Sequence, residues 1–448
     1  MSKIMSSTQS LPKTFLLFLL PMMLGNALQS LFGTVSNVFL GQMIGVDALA
    51  AVAAVFPVIF FLFAFVMGLS TGATVLIGQA FGAGENGRIK TVAGTTLAVG
   101  LLLATSVALL GGIFSRPLMM ALATPPDILD QSSAYARIML LTVPLGFVFL
   151  LMTSMIRGVG DARTPLLALA FSTLIGLILT PVLIHSGFGV ASPAWASAVA
   201  NAITLILLAA HLLRKNHPLA PDAVLLHSLR IDRAMLGKIL GIGLPSAVGM
   251  VAMAIAELVL LGLVNGFGSE ATAAYGAVNQ VMGYAQFTAM SISISVSILG
   301  AQAIGGGHHA RFDAIVKTGL LYNIVLTGGL VALIYLSARS VLGLFIIDPA
   351  VLDLATGLLH VALWSTVPFG LATVFSGAMR AGGVALTPML LSIFAILAIE
   401  LPSAVILSRI IGIEGVWAAY PIVFCAMFIL QMGYYLLVWR RRPVLRLA

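Results

Sequence analysis

Apolar residues in this chain run in long blocks, without the alternation of strands or the single stripe of a surface helix. A helix that crosses a bilayer needs about 20 such residues, because each rises ~1.5 Å and the hydrocarbon layer is ~30 Å thick. Twelve stretches qualify: 14–40, 48–79, 89–112, 132–156, 164–186, 190–213, 236–267, 271–303, 313–337, 353–379, 384–408 and 415–439. Short loops bearing Gly, Pro or charge separate them. Lys3 and Lys13 precede the first run, as in a signal peptide, but no small-residue cleavage site follows and the second run comes at once. The expectation is an all-α membrane protein of 12 transmembrane helices.

Composition removes the other classes. Of 448 residues, 60% are hydrophobic and 8% charged, whereas a soluble domain carries roughly a quarter of its residues as charges. There is no Gly-X-Y period and no heptad, and the single cysteine, Cys425, has no internal partner for a disulfide. A net charge of +8 suggests nucleic acid until the bases are placed. With the N-terminus inside, 18 Lys and Arg fall on the inner side and 4, Arg116, Arg137, Arg339 and Arg409, on the outer. That bias follows the positive-inside rule and puts both termini in the cytoplasm. Arg440, Arg441 and Arg442 then read as an anchor to anionic headgroups of the bilayer, with no nucleic-acid partner. The expected location is the plasma membrane, the bacterial inner membrane.

The chain matches itself at an offset of 223 residues. Gly45, Gln79-Ala80, Gly82, Gly84, Arg88, Arg157, Gly160 and Pro165 meet Gly268, Gln302-Ala303, Gly305, Gly307, Arg311, Arg380, Gly383 and Pro388. Val143-Pro144 meets Val367-Pro368 one residue out of step. Six spans in each half make a parallel repeat, the arrangement of transporters that rock one bundle against another. The expected organisation is an N-terminal six-helix bundle at 1–213, a cytoplasmic linker at 214–235 carrying Pro218 and Pro221, and a C-terminal six-helix bundle at 236–448.

Leu40-Gly41-Gln42-Met43-Ile44-Gly45 followed by Ala48-Leu49-Ala50-Ala51, Gly78-Gln79-Ala80-Phe81-Gly82-Ala83-Gly84 and Arg157-Gly158-Val159-Gly160-Asp161 recur in this order over nearly the whole chain. In these residues the chain resembles the multidrug and toxic compound extrusion (MATE) family. The resemblance implies a secondary antiporter that exports organic cations and other amphipathic drugs from the cytoplasm in exchange for H⁺ or Na⁺, with no cofactor.

Ionisable side chains inside a bilayer are functional candidates because an unpaired charge there is costly. Of 14 acids, only Glu257 and Glu400 fall within spans. Glu257 lies about 15 residues beyond Ile242, roughly 23 Å along span seven, where a carboxyl is able to exchange a proton or offer oxygens to Na⁺. It also matches the acid that many MATE transporters carry on that span. A glutamate that only hydrogen-bonds between helices is the plainer alternative. Glu400 precedes Leu401-Pro402, and a carbonyl freed by the proline joins it as a candidate ion ligand, or the acid merely steadies the kink.

Asn279, Gln286, Met290, Ser293 and Ser297 share one face of span eight, which predicts a wet cavity wall. At the 223 offset they meet Phe56, Phe63, Met67, Ser70 and Thr74, an aromatic and sulfur-rich stripe suited to stacking on flat cations, or to ordinary packing. Asn26, Gln29, Gly33 and Ser36 give span one a polar face that binds by hydrogen bonds but does not titrate. The family commonly has acids where this chain has Ser36 and Phe369, so coupling rests on the C-terminal half.

A flippase for a lipid-linked precursor keeps the fold, but it would want mid-span Arg or Lys, and none is present. The loops are too short and too poor in Asp, His and Lys for an integral-membrane enzyme, and a monomeric chain is expected.

Overall fold

The computed structural model describes residues 10–442 with 446 and 447, so Lys3 lies outside it. All regular elements among the described residues are helical, because within lipid a helix satisfies its own backbone. In order they are α1 (Leu11–Met43), α2 (Val46–Gly82), α3 (Asn86–Ala121), α4 (Leu129–Gly158), α5 (Arg163–Leu183), α6 (Ser192–Arg214), the short α7 (Ala223–His227), α8 (Arg233–Asn265), α9 (Ser269–Gly305), α10 (His309–Tyr322), α11 (Gly328–Leu336), α12 (Ala338–Leu342), α13 (Pro349–Ala362), α14 (Thr366–Ala381), α15 (Leu386–Ala395), α16 (Leu401–Ile411) and α17 (Ile413–Leu437).

Among the described residues, eleven helical stretches are long and apolar enough to cross a membrane, and one of them, Arg163–Arg214, has 52 residues. At ~1.5 Å per residue that is far more than one crossing. The chain reverses inside it at Gly187 and Gly189, with φ of 86° and 56°. Ser172 Oγ then donates to Asn201 Oδ1 at 2.9 Å between α5 and α6. The stretch is therefore two spans, which brings the total to the twelve expected. Three spans are each built from two helices joined by a wide or tight turn: π at Asn323–Thr327 and Ile396–Glu400, 3-10 at Leu363–Ser365. The last of these lies in the stretch where the repeat slips by one residue.

The duplication is visible in backbone and side chains alike. Gly45, Gly84, Gly160 and Gly189 have positive φ, and so do Gly268, Gly307, Gly383 and Gly412, each 223 residues on. The loops of both halves turn at the same left-handed positions, where glycine carries no Cβ penalty. Arg116 Nη1 donates to Asp130 at 2.5 Å, and Arg339 pairs with Asp353, also at that offset.

Residue contacts divide the described chain into two compact units: Leu20–Ala247, and the described part of Met1–Leu19 together with Val248–Leu447. In the first, a Cβ on Gly72 would lie 2.2 Å from Ile239 O, so the start of α8 packs backbone to backbone on α2. Segment 214–235 is more than a polar tether. Leu219, Ala220 and Leu225 are buried, Thr95 Oγ1 donates to Arg230 O at 3.2 Å, and Lys90 pairs with Asp222. Asp222 also caps α7 by accepting from Leu225 N at 2.9 Å. In the second unit the core gathers around α9, α13, α14 and α17, with Trp417 and Tyr420 fully enclosed. Large apolar side chains stay exposed along the spans, among them Ile206 at 70% and Leu333 at 67%, as lipid-facing surfaces require.

Candidate functional site

Glu257 projects from α8 and is exposed. Three donors converge on its Oε2. Tyr275 Oη of α9 donates at 2.8 Å, Tyr420 Oη of α17 at 3.1 Å and Asn279 Nδ2 of α9 at 3.3 Å. Each phenol has one proton, so with both directed at Oε2 the 3.1 Å between the phenol oxygens is a contact and not a further bond. Trp417 holds this pair in place. Its ring centroid is 5.2 Å from that of Tyr275 and 5.6 Å from that of Tyr420. The result is a carboxylate with one oxygen saturated by neutral donors.

Glu400 is buried, with 6% exposure, at the end of the π turn. The turn lies directly before Pro402, whose missing N–H leaves the α-helical ladder one donor short and lets the register widen. The turn packs against α17, the helix that carries Tyr420, so the two in-span acids lie in the same unit.

The polar stripe of α9 divides in two. Asn279 joins Glu257, while Gln286 is half-buried and Met290 exposed at 38%. Ser293 is 2% exposed. Its Oγ donates to Thr373 O at 2.5 Å and accepts from Arg380 at 3.1 Å. Ser297 is buried as well. At that end α9 lies so close to α14 that a Cβ on Gly377 would sit 2.5 Å from Ser293 O. The expected wet wall is therefore replaced there by helix packing. Phe369 also packs, its ring 4.8 Å from that of Phe424.

The Leu20–Ala247 unit holds a cavity of about 510 Å³. Gln29 and Phe63 line it, whereas Asn26, Ser36 and Met67 are not among its lining residues. Ser36 is buried, and its Oγ has no hydrogen-bond partner among the described residues. Met67 is half-buried.

Sequence reasoning passed over Tyr275, Tyr420 and Trp417 near Glu257, and Ser172 and Asn201 in the cavity wall. A usable signal existed for the tyrosines. A phenol inside an apolar span needs a polar partner, and the chain has only 8 tyrosines in all.

The family model described as MatE matches residues 21–182 and again 245–406, one copy in each half. The chain belongs to the MATE family. Relatives over its whole length agree. It is 38% identical to the probable multidrug resistance protein YoeA of Bacillus subtilis, covering 98% of this chain and 97% of that one. It is 24% identical to the multidrug export protein MepA of Staphylococcus saprophyticus, over 90% and 88%, and 25% identical to an FAD transporter of Shewanella oneidensis, over 87% of each. Among solved structures, a mutant of the Vibrio cholerae MATE transporter VcmN shares the fold at TM-score 0.89 and 20% identity, over 97% and 98% of the two chains. This MATE protein is thus a multi-pass membrane transporter with two repeated six-helix bundles.

Proposed function

We propose that this transporter is a secondary antiporter of the plasma membrane, moving amphipathic small molecules out of the cytoplasm in exchange for H⁺ or Na⁺, with Glu257 as the coupling group. The observation that carries the reading is the Glu257 carboxylate. It is exposed within a span, one oxygen is held by Tyr275, Tyr420 and Asn279, and the other is left to meet a cation. Glu400, on the turn packed against α17, serves as a second acid of the same unit. The multidrug names of YoeA and MepA support small-molecule export. The Lys and Arg bias supports cytoplasmic termini. Carrying one positive charge inward then releases ~2.3 kcal/mol per 100 mV. A lipid-linked precursor is the less favoured cargo, since the cavity wall has no Arg or Lys to hold phosphates.

The test uses the purified full chain in proteoliposomes, with H⁺ and Na⁺ gradients imposed separately and dye movement followed. Glu257→Gln should lower gradient-driven movement at least tenfold. Unchanged movement under both gradients removes the assignment.

A further inference from the structure

Segment 214–235 climbs one face of α3 within the Leu20–Ala247 unit. Asp222 pairs with Lys90, a Cβ on Gly94 would lie 2.0 Å from Ser228 O, and Thr95 Oγ1 donates to Arg230 O at 3.2 Å. Gly94 and Thr95 follow Ile89, where the apolar run of this span begins, by roughly 8 Å at ~1.5 Å per residue. Interfacial segments lie about that deep, where headgroups give way to acyl chains. Leu101 and Leu102, two helical turns beyond Gly94 and Thr95 on the same face of α3, are exposed. The face that the segment covers therefore continues directly into a lipid-facing surface.

The composition and bonding of the segment suit that level. Irregular backbone at membrane depth has to be satisfied by protein. Ser228 N donates to Val224 O at 3.0 Å and Arg230 N to Ser228 O at 2.7 Å, and the Thr95 hydroxyl that donates to Arg230 O also accepts from Asp232 N at 3.4 Å. Leu225 is buried, whereas Val224 and Leu226 are exposed at 57% and 59%, and Leu229 and Ile231 are exposed as well. Such side chains are disfavoured in water and favoured at a bilayer surface.

Charge points the same way. Both acids of the segment are engaged by the protein, Asp222 with Lys90 and Asp232 with Met235 N at 3.0 Å. Arg230 and Arg233 are exposed and have no ion pair among the described residues. Long guanidinium side chains reach from an apolar stretch to nearby phosphates, which they bind by charge-assisted hydrogen bonds.

We propose that residues 223–233 dock on the bilayer surface, with Val224, Leu226, Leu229 and Ile231 seated among the upper acyl chains and Arg230 and Arg233 on the headgroup phosphates of anionic lipids. A leaflet rich in anionic lipid complements two cations that the protein leaves unpaired. With the termini in the cytoplasm, the orientation proposed above, this is the inner leaflet.

The test uses the full chain in nanodiscs of phosphatidylcholine, alone or mixed with phosphatidylglycerol. Nitroxide labels are placed by Leu226→Cys and Ile231→Cys in a Cys425→Ser chain, with Asn86→Cys, at the exposed first residue of α3, as the water-facing reference. Collisions with a water-soluble nickel chelate and with oxygen, which concentrates in acyl chains, report depth. In the anionic discs, chelate collisions at 226 and 231 should fall roughly fivefold below those at 86 while oxygen collisions rise, as for a segment buried among acyl chains. Arg230→Gln with Arg233→Gln should reverse much of that difference, as should discs without phosphatidylglycerol. Chelate collisions as frequent at 226 and 231 as at 86 overturn the proposal. Labels shielded from chelate and oxygen alike, as against protein, overturn it too. Depth that ignores both the lipid and the glutamine pair removes the two arginines from it. Both faces of a nanodisc have the same composition, so the depth is read whichever face is cytoplasmic, and failure of the orientation leaves this result intact.

Discussion

Replacing Tyr420 by Phe removes one donor from Glu257 Oε2 and leaves the rest of the site in place. Tyr420 is 1% exposed, and its ring rests against Trp417 and Phe424 at 5.6 and 5.8 Å, contacts a phenyl ring preserves. The lost bond, 3.1 Å to a carboxylate oxygen, belongs to the charged class that contributes about 1.5–3 kcal/mol net. Tyr275 and Asn279 remain at 2.8 and 3.3 Å and can tighten, so the low end of that range, about 1.5 kcal/mol, is the expected effect. Since 1.4 kcal/mol is a factor of ten, the carboxylate should hold its coupling cation about tenfold more strongly, because its negative charge is no longer offset by that donor. In proteoliposomes, the H⁺ or Na⁺ concentration giving half-maximal dye movement should fall about tenfold. Tyr275→Phe, which removes the shortest bond, should shift it further, and Asn279→Ala less. Half-saturation unchanged in all three variants, with folding intact, would refute the view that these donors tune Glu257.

Two further outcomes concern segment 214–235. A Cβ on Gly94 would lie 2.0 Å from Ser228 O, so Gly94→Val should undock this segment, and limited trypsin digestion at Arg230 and Arg233 should become several-fold faster than in the parent chain. The Lys90 hydrogen bond, then the bond from Leu225 N, hold the Asp222 carboxyl below its usual range. A depressed carboxyl contributes stability that is full above the unfolded-state value, about 3.9, and is lost as pH falls through the folded-state value. Asn at 222 still caps α7 but cannot pair with Lys90. The parent should therefore melt above Asp222→Asn at pH 7, and the gap should close as pH drops below about 4; a gap that persists at pH 2 contradicts the pairing.

The spans were legible because lipid imposes one rule on every residue of a crossing helix. Several observed helices overrun the expected limits, α3 furthest, to Ala121, since polar residues at span ends still continue a hydrogen-bonded helix past the apolar run, whereas α6 begins and α8 ends slightly inside theirs. The loops were legible for another reason. Gly45, Gly84 and Gly160 and their counterparts sit at left-handed turns, where other side chains are strained, so the identity of the residue reports the backbone. The stripe on span eight was legible as a face but not as an environment. A period of 3.6 aligns Asn279 with Ser293, yet nothing local tells that one meets Glu257 and the other Thr373.

Alone, the sequence determined the number and order of the spans, the duplication at 223 residues, and the short list of in-span acids, Glu257 and Glu400. These follow from the cost of placing polar groups and charges in hydrocarbon, which acts residue by residue. Tertiary structure decided which groups share a site. Tyr275 and Tyr420 meet Glu257 across 18 and 163 positions of sequence, and Ser172 meets Asn201 across 29. Hydrogen bonds act over about 3 Å, and the pairs that come within that distance are set by the packing of whole helices.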